Sequence, residues 1–177
     1  MLRFALSAAA IAAFATPGFA LGLTSPDVAD GQTFAAKFVC TAQGGQNVSP
    51  ALTWTGVPPK AKSLALTIFD PDAGTSGFWH WQLVDIPPTA TGIAQGAGAA
   101  GQTPIPGARP LPNGAGNANY DGPCPPPDKT HHYITTIYAL PDAKSAITSD
   151  MKPTEVGAWL DKAALIKAVI TPVFEHK

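Results

Sequence analysis

Five ionisable side chains stand where a β-rich chain seldom puts them: Asp70 and Asp72 on either side of Pro71, His80 between Trp79 and Trp81, and the adjacent pair His131 and His132. An imidazole can donate a charge-assisted hydrogen bond to an oxyanion, and a nearby carboxylate can orient that ring by accepting its other proton. Two histidines and two carboxylates could also ligate a metal. No HExxH spacing and no closely spaced cysteine pair accompanies them, so no metal is expected. The sequence has no Gly-x-Ser-x-Gly elbow, no glycine loop leading a helix to cradle phosphate and no dinucleotide fingerprint. A binding site without cofactor or catalysis is the reading these residues ask for.

Each residue alone has a plainer role. Asp70-Pro71-Asp72 suits an Asx turn, in which the carboxylate caps local N–H groups, and His80 suits a half-buried ring satisfied by one backbone bond. Neighbouring strand residues face opposite sides, so only one of His131 and His132 can enter a common pocket, and the other belongs on the surface.

The elements that would position these groups are short apolar runs bounded by turns. Leu52–Thr55 reads as a strand stopped by Pro58-Pro59, Ser63–Phe69 as a central strand, Phe78–Ile86 as a strand ended by Pro87-Pro88, and His131–Leu140 as one long β-branched and aromatic strand. Between Gly92 and Lys129 lies a Gly-, Ala-, Pro- and Asn-rich segment, which at that length is either functional or disordered. The one helix expected in the mature chain begins near Pro153-Thr154, with Val156, Trp159, Leu160 and Ala163 at helical spacing. A final strand toward Phe174 follows. Strand runs with a single late helix argue for packed antiparallel sheets.

Of the 177 residues, 13% are charged and the formal net charge is −1. Lysines are scattered, which argues against nucleic acid or an anionic membrane as an electrostatic partner. Met1-Leu2-Arg3, the apolar run Phe4 to Phe14 and Gly18-Phe19-Ala20 have the layout of a secretory signal over residues 1–20, leaving one mature domain, 21–177. The apolar run is short for a membrane span and none follows it, so an exported protein, periplasmic or secreted, is expected. Cys40 and Cys124 could then form a disulfide; two separately buried thiols fit the sequence too.

Taken together, Asn47-Val48-Ser49-Pro50-Ala51-Leu52-Thr53-Trp54, Lys62–Leu66, Asp70-Pro71-Asp72-Ala73 and His80-Trp81 before Asp85-Ile86-Pro87 resemble the first signature region of the phosphatidylethanolamine-binding family, in its bacterial Raf-kinase-inhibitor-like branch. Tyr120-Asp121-Gly122-Pro123-Cys124-Pro125-Pro126, His131-His132-Tyr133 and Tyr138-Ala139-Leu140 resemble the second. The likeness runs from about Asp27 to the C-terminus. It implies a mainly β fold, two antiparallel sheets in a Greek-key-like sandwich with a few peripheral short helices, and a small pocket for a phosphate-type anion or phospholipid head group. The pocket residues it implies are Asp70, His80, Gly122, Cys124, Pro125, His131 and Tyr133. It also implies an alternative, an inhibitor or signalling protein whose loops bind a kinase or protease; a hydrolase is a weaker one. Gly74 departs from the proline common at that place in the family, and residues 107–119 match the bacterial pattern poorly.

Overall fold

The computed structural model describes residues 20–177, so the expected leader, apart from Ala20, lies outside the described residues. Ten strands and one α-helix follow in chain order: β1 Gly22–Thr24, β2 Leu52–Thr55, β3 Ser63–Asp70, β4 Phe78–Ile86, β5 Gly92–Ile93, β6 Arg109–Pro110, β7 Thr130–His132, β8 Ile134–Leu140, α1 Pro153–Ala163, β9 Ile166–Ile170 and β10 Val173–Glu175, with two short 3-10 helices, Ala36–Phe38 and Thr41–Gln43, between β1 and β2. A five-stranded sheet runs β6-β4-β3-β8-β9, a three-stranded sheet runs β1-β2-β5, and β7 and β10 form a separate ribbon, all with antiparallel neighbours. The two expected sheets are present, and the ribbon is an addition.

β3 is central and buried on both faces, which its alternation explains. Leu64, Leu66 and Ile68 face inward to the three-stranded sheet, joining Trp54, Leu52 and Leu23 in the larger core. Ala65 faces the other way and packs with Val84, Tyr138 and Leu140 under Val156 and Leu160 of α1. Trp79 also lies on this helix side, where a Cβ on Gly157 would stand 2.2 Å from its ring, so the helix can approach only because residue 157 has no side chain. The N-terminus of α1 is closed by Glu155, whose Oε2 accepts from the Lys152 N–H at 2.9 Å.

Two breaks depart from the sequence-based strands. The run from His131 to Leu140 is two strands, because β7 pairs with β10 while β8 pairs with β3 and β9. The C-terminal run divides likewise: Pro172 separates β9 from β10, and its carbonyl accepts from the Tyr133 N–H at 2.8 Å. The chain therefore crosses between sheets at Tyr133 and at Pro172 together, which swings His131 and His132 out of the large sheet.

The long 92–129 segment is ordered. Ile105, Ala108, Leu111 and Tyr120 are buried, and the N–H groups of Leu111, Tyr120 and Asp121 donate to the carbonyls of Gln82, Gly98 and His80.

Candidate functional site

β3 carries its inward face, Leu64, Leu66 and Ile68, one step further to Asp70, which is 2% exposed. On β4 the register with β3 shifts between Ile68↔Trp81 and Phe69↔Trp79, so His80 is the extra residue of a β-bulge. The bulge has a chemical consequence. A regular strand would put Trp79 and Trp81 on one face and His80 on the other; here Trp81 enters the core, Trp79 meets the helix, and His80 points to the end of the sheet. β7 brings His131 to the same place, with His132 on the outside.

The three side chains form a chain of contacts. The ring of His131 donates from Nδ1 to Asp70 Oδ2 at 2.7 Å. His80 donates from Nδ1 to the Asp121 carbonyl at 2.6 Å, and its Nε2 stands 3.8 Å from the same Asp70 Oδ2, too far for a hydrogen bond. Asp70 Oδ1 accepts from the Asp72 N–H at 2.8 Å, the Asx-type bond anticipated for this turn. Burial would push the Asp70 carboxyl up, yet its hydrogen bonds, those from His131 and the Asp72 N–H among them, hold it below the usual carboxylate range. Asp72 is likewise held low, chiefly by His132, whose Nδ1 and backbone N–H donate to its Oδ2 at 2.8 and 2.9 Å.

Opposite these groups lies the proline-rich segment, tied down by a disulfide between Cys40 and Cys124 that spans 84 residues of sequence. Hydrogen bonds reinforce that join: Cys40 N–H to Pro123 O, Gln43 Nε2 to Pro125 O, and the Tyr120 hydroxyl to Phe38 O. Asn47, at φ 53°, accepts from the Gly122 N–H at 2.6 Å and donates to Tyr120 O at 3.2 Å. A Cβ on Gly122 would lie 2.2 Å from Phe38 O, so only glycine fits. The result is a cleft of about 820 Å³ at the end of the large sheet, with the volume of a small-molecule site.

Residues 24–175 match the profile of a family described as phosphatidylethanolamine-binding protein. The chain belongs to the phosphatidylethanolamine-binding protein family. It is 40% identical over 169 residues to the UPF0098 protein YbcL of Escherichia coli (strain K12), covering 93% of this chain and 92% of that protein. The crystal structure of E. coli YbcL, titled a new member of the mammalian PEBP family, superposes with a TM-score of 0.83 and covers 89% of this chain and 99% of that one. The homolog CT736 of Chlamydia trachomatis D/UW-3/CX, 28% identical, superposes at 0.75 over 90% of this chain and 99% of its own. LppC of Mycobacterium tuberculosis (strain ATCC 25618 / H37Rv), named as a lipoprotein, is 44% identical over 126 residues, 70% of this chain and 57% of that protein.

Five of the seven residues that the phosphatidylethanolamine-binding resemblance points to line the cleft together: Asp70, His80, Gly122, Cys124 and His131. Pro125 and Tyr133 do not. Pro125 is buried behind the wall, with its carbonyl held by Gln43, and Pro126 takes the place on the cleft. Tyr133 shares a face with His131 but lies deeper, fully buried, its ring centroid 5.1 Å from that of His80. Gly122 lines the cleft, but its N–H is spent on Asn47, which leaves Cys124 as the only other residue of 122–127 with an N–H for a ligand. Sequence reasoning passed over Asn47, Asp121 and Lys129, all on the cleft wall. Asn47 and Asp121 stand inside the family signatures, whereas nothing local marks Lys129. Gly74 on the rim sits at φ 68°, which proline cannot adopt.

Proposed function

We propose that the cleft binds a small oxyanion, phosphate or a phosphorylated head group, and holds it without catalysing a reaction. One observation carries this reading. The carboxylates of the cleft are already met by protein donors, Asp70 by His131 and the Asp72 N–H, Asp72 by His132, and Asp121 by the side-chain amides of Asn113, Asn117 and Asn119. What is left for a ligand includes the second ring nitrogen of His131, oriented by Asp70, the Cys124 N–H and the ammonium of Lys129. An imidazolium bonded to Asp70 through Nδ1 presents an N–H from Nε2, a charge-assisted donor for an oxyanion.

A disulfide also suits an oxidising compartment, so we place the protein outside the cytoplasm, periplasmic or secreted, in keeping with the expected leader and the name of LppC. Capture of a kinase or protease by the loops would draw on an apolar patch in residues 92–119. The large apolar side chains exposed among the described residues are instead Leu165, Ile166 and Val169, on and beside β9.

Calorimetric titration with phosphate, phosphoethanolamine and acetate tests the proposal. Binding of the phosphoryl ligands that is lost in His131→Ala supports it. No heat with any of the three overturns it, and turnover of a phosphoester that disappears in both His80→Ala and His131→Ala would replace it with a hydrolase.

A further inference from the structure

We propose that the floor of the cleft selects oxyanions that still carry a proton, inorganic phosphate and singly protonated phosphomonoesters, over fully ionised isosteres such as sulfate. The inference rests on the oxyanion reading of the same site and adds the protonation state of the ligand.

Its basis is an orphaned atom. His80 is 5% exposed, and its Nε2 has no hydrogen-bond partner. Because Nδ1 donates to the Asp121 carbonyl at 2.6 Å, the neutral ring has its lone pair on Nε2. That lone pair faces Asp70 Oδ2 across 3.8 Å. Oδ2 is met by His131, so the acceptor left buried at the cleft without a donor is Nε2 of His80, and leaving it unmet is costly. A P–OH group supplies the missing hydrogen: it donates to Nε2, while the remaining phosphoryl oxygens accept from His131 and Lys129. The same proton lessens the repulsion between the Asp70 carboxylate and an incoming anion. Sulfate has the size and shape of phosphate but no hydrogen to give, so it meets the Nε2 lone pair and a negative charge.

Among the described residues no donor stands within hydrogen-bonding distance of His80 Nε2. The Phe78 ring packs edge-on at 4.8 Å. The Tyr133 hydroxyl is itself buried without a partner, and burial keeps it protonated and uncharged by raising its pKa above the ordinary range. Asp121 meets the His80 ring through its carbonyl, its carboxylate being held by the asparagines. His131 is turned to Asp70. If His80 were instead an imidazolium, its Nε2–H would serve sulfate and phosphate alike, and this is the difference an experiment reads.

The test titrates the oxidised protein at pH 7 with inorganic phosphate and with sulfate at matched ionic strength, then with methyl phosphate between pH 5 and 8. Phosphate is expected to bind at least about tenfold more tightly than sulfate, the scale set by one unmet buried acceptor. The ratio of methyl phosphate to sulfate affinity is expected to fall by about tenfold per pH unit above the second ionisation of the ester, near pH 6. Asp70→Asn, which replaces an acceptor and a charge with an amide donor, should bring the two tetrahedral anions to similar affinity. A failure of that variant to fold leaves the two wild-type measurements to decide. Equal affinity of the wild type for phosphate and sulfate, or a methyl phosphate to sulfate ratio independent of pH, overturns the selectivity and leaves oxyanion binding intact. No binding of either anion overturns both.

Discussion

Cutting the disulfide between Cys40 and Cys124 gives a change whose size follows from the chain path. The bond closes a loop of 84 residues, and loop-closure entropy for that length corresponds to about 4–5 kcal/mol at 25 °C, an upper figure because the reduced unfolded chain keeps some structure. For a domain of roughly 160 residues the unfolding entropy near the midpoint is about 0.33 kcal/mol per kelvin, so the Tm should fall by about 12–15 °C. The bond also joins the segment carrying Asn47 to the one carrying Gly122, so anion affinity should weaken as the wall opens, in proportion to the population that retains the closed form. Thermal unfolding followed by circular dichroism, oxidised against reduced and against a Cys40→Ala/Cys124→Ala double variant, measures the first effect, and phosphate titration of the same samples the second. A Tm drop of less than about 4 °C in both reduced and double-variant protein would refute the loop-closure reasoning. It would mean that the hydrogen bonds of Cys40, Gln43, Asn47 and Tyr120 alone hold the wall.

Other expectations are as specific. Gly157→Ala, which in an ordinary helix interior stabilises by about 1 kcal/mol, should here destabilise, because the added carbon would stand 2.2 Å from the Trp79 ring; denaturant titration gives the sign. Gly122→Ala forces Phe38 O away from a 2.2 Å approach and should cost about 1–3 kcal/mol together with most of the phosphate affinity. Asp70 titrates below its unfolded value, so its contribution to stability is complete above the ordinary carboxylate range and is lost as pH falls through the depressed folded pKa. Urea midpoints between pH 6 and 2 should therefore fall less steeply for Asp70→Asn than for the wild type, and parallel curves would contradict the burial and pairing described.

Much of the frame could be read in the linear chain. The alternation of Leu64, Leu66 and Ile68 against Ala65 is a local property, and so are the Pro-bounded ends of β2 and β4 and the helical spacing of Val156 and Leu160. The opposed sides of His131 and His132 follow from strand geometry alone. Five of the seven residues implied by the family likeness meet at one cleft because they stand at strand ends or in the signature loop.

What the chain could not disclose by itself depends on partners distant in sequence. The single strand expected over His131–Leu140 divides at Tyr133 only because Pro172 receives its N–H. His80 turns to the end of the sheet through a register shift defined by β3, where its own W-H-W pattern predicts plain alternation. The pairing of Cys40 with Cys124 and the loss of the Gly122 N–H to Asn47 also belong to this class. Side-chain period and turn chemistry are set by neighbours along the chain, whereas register and the destination of each hydrogen bond are set by whichever segments the fold lays side by side.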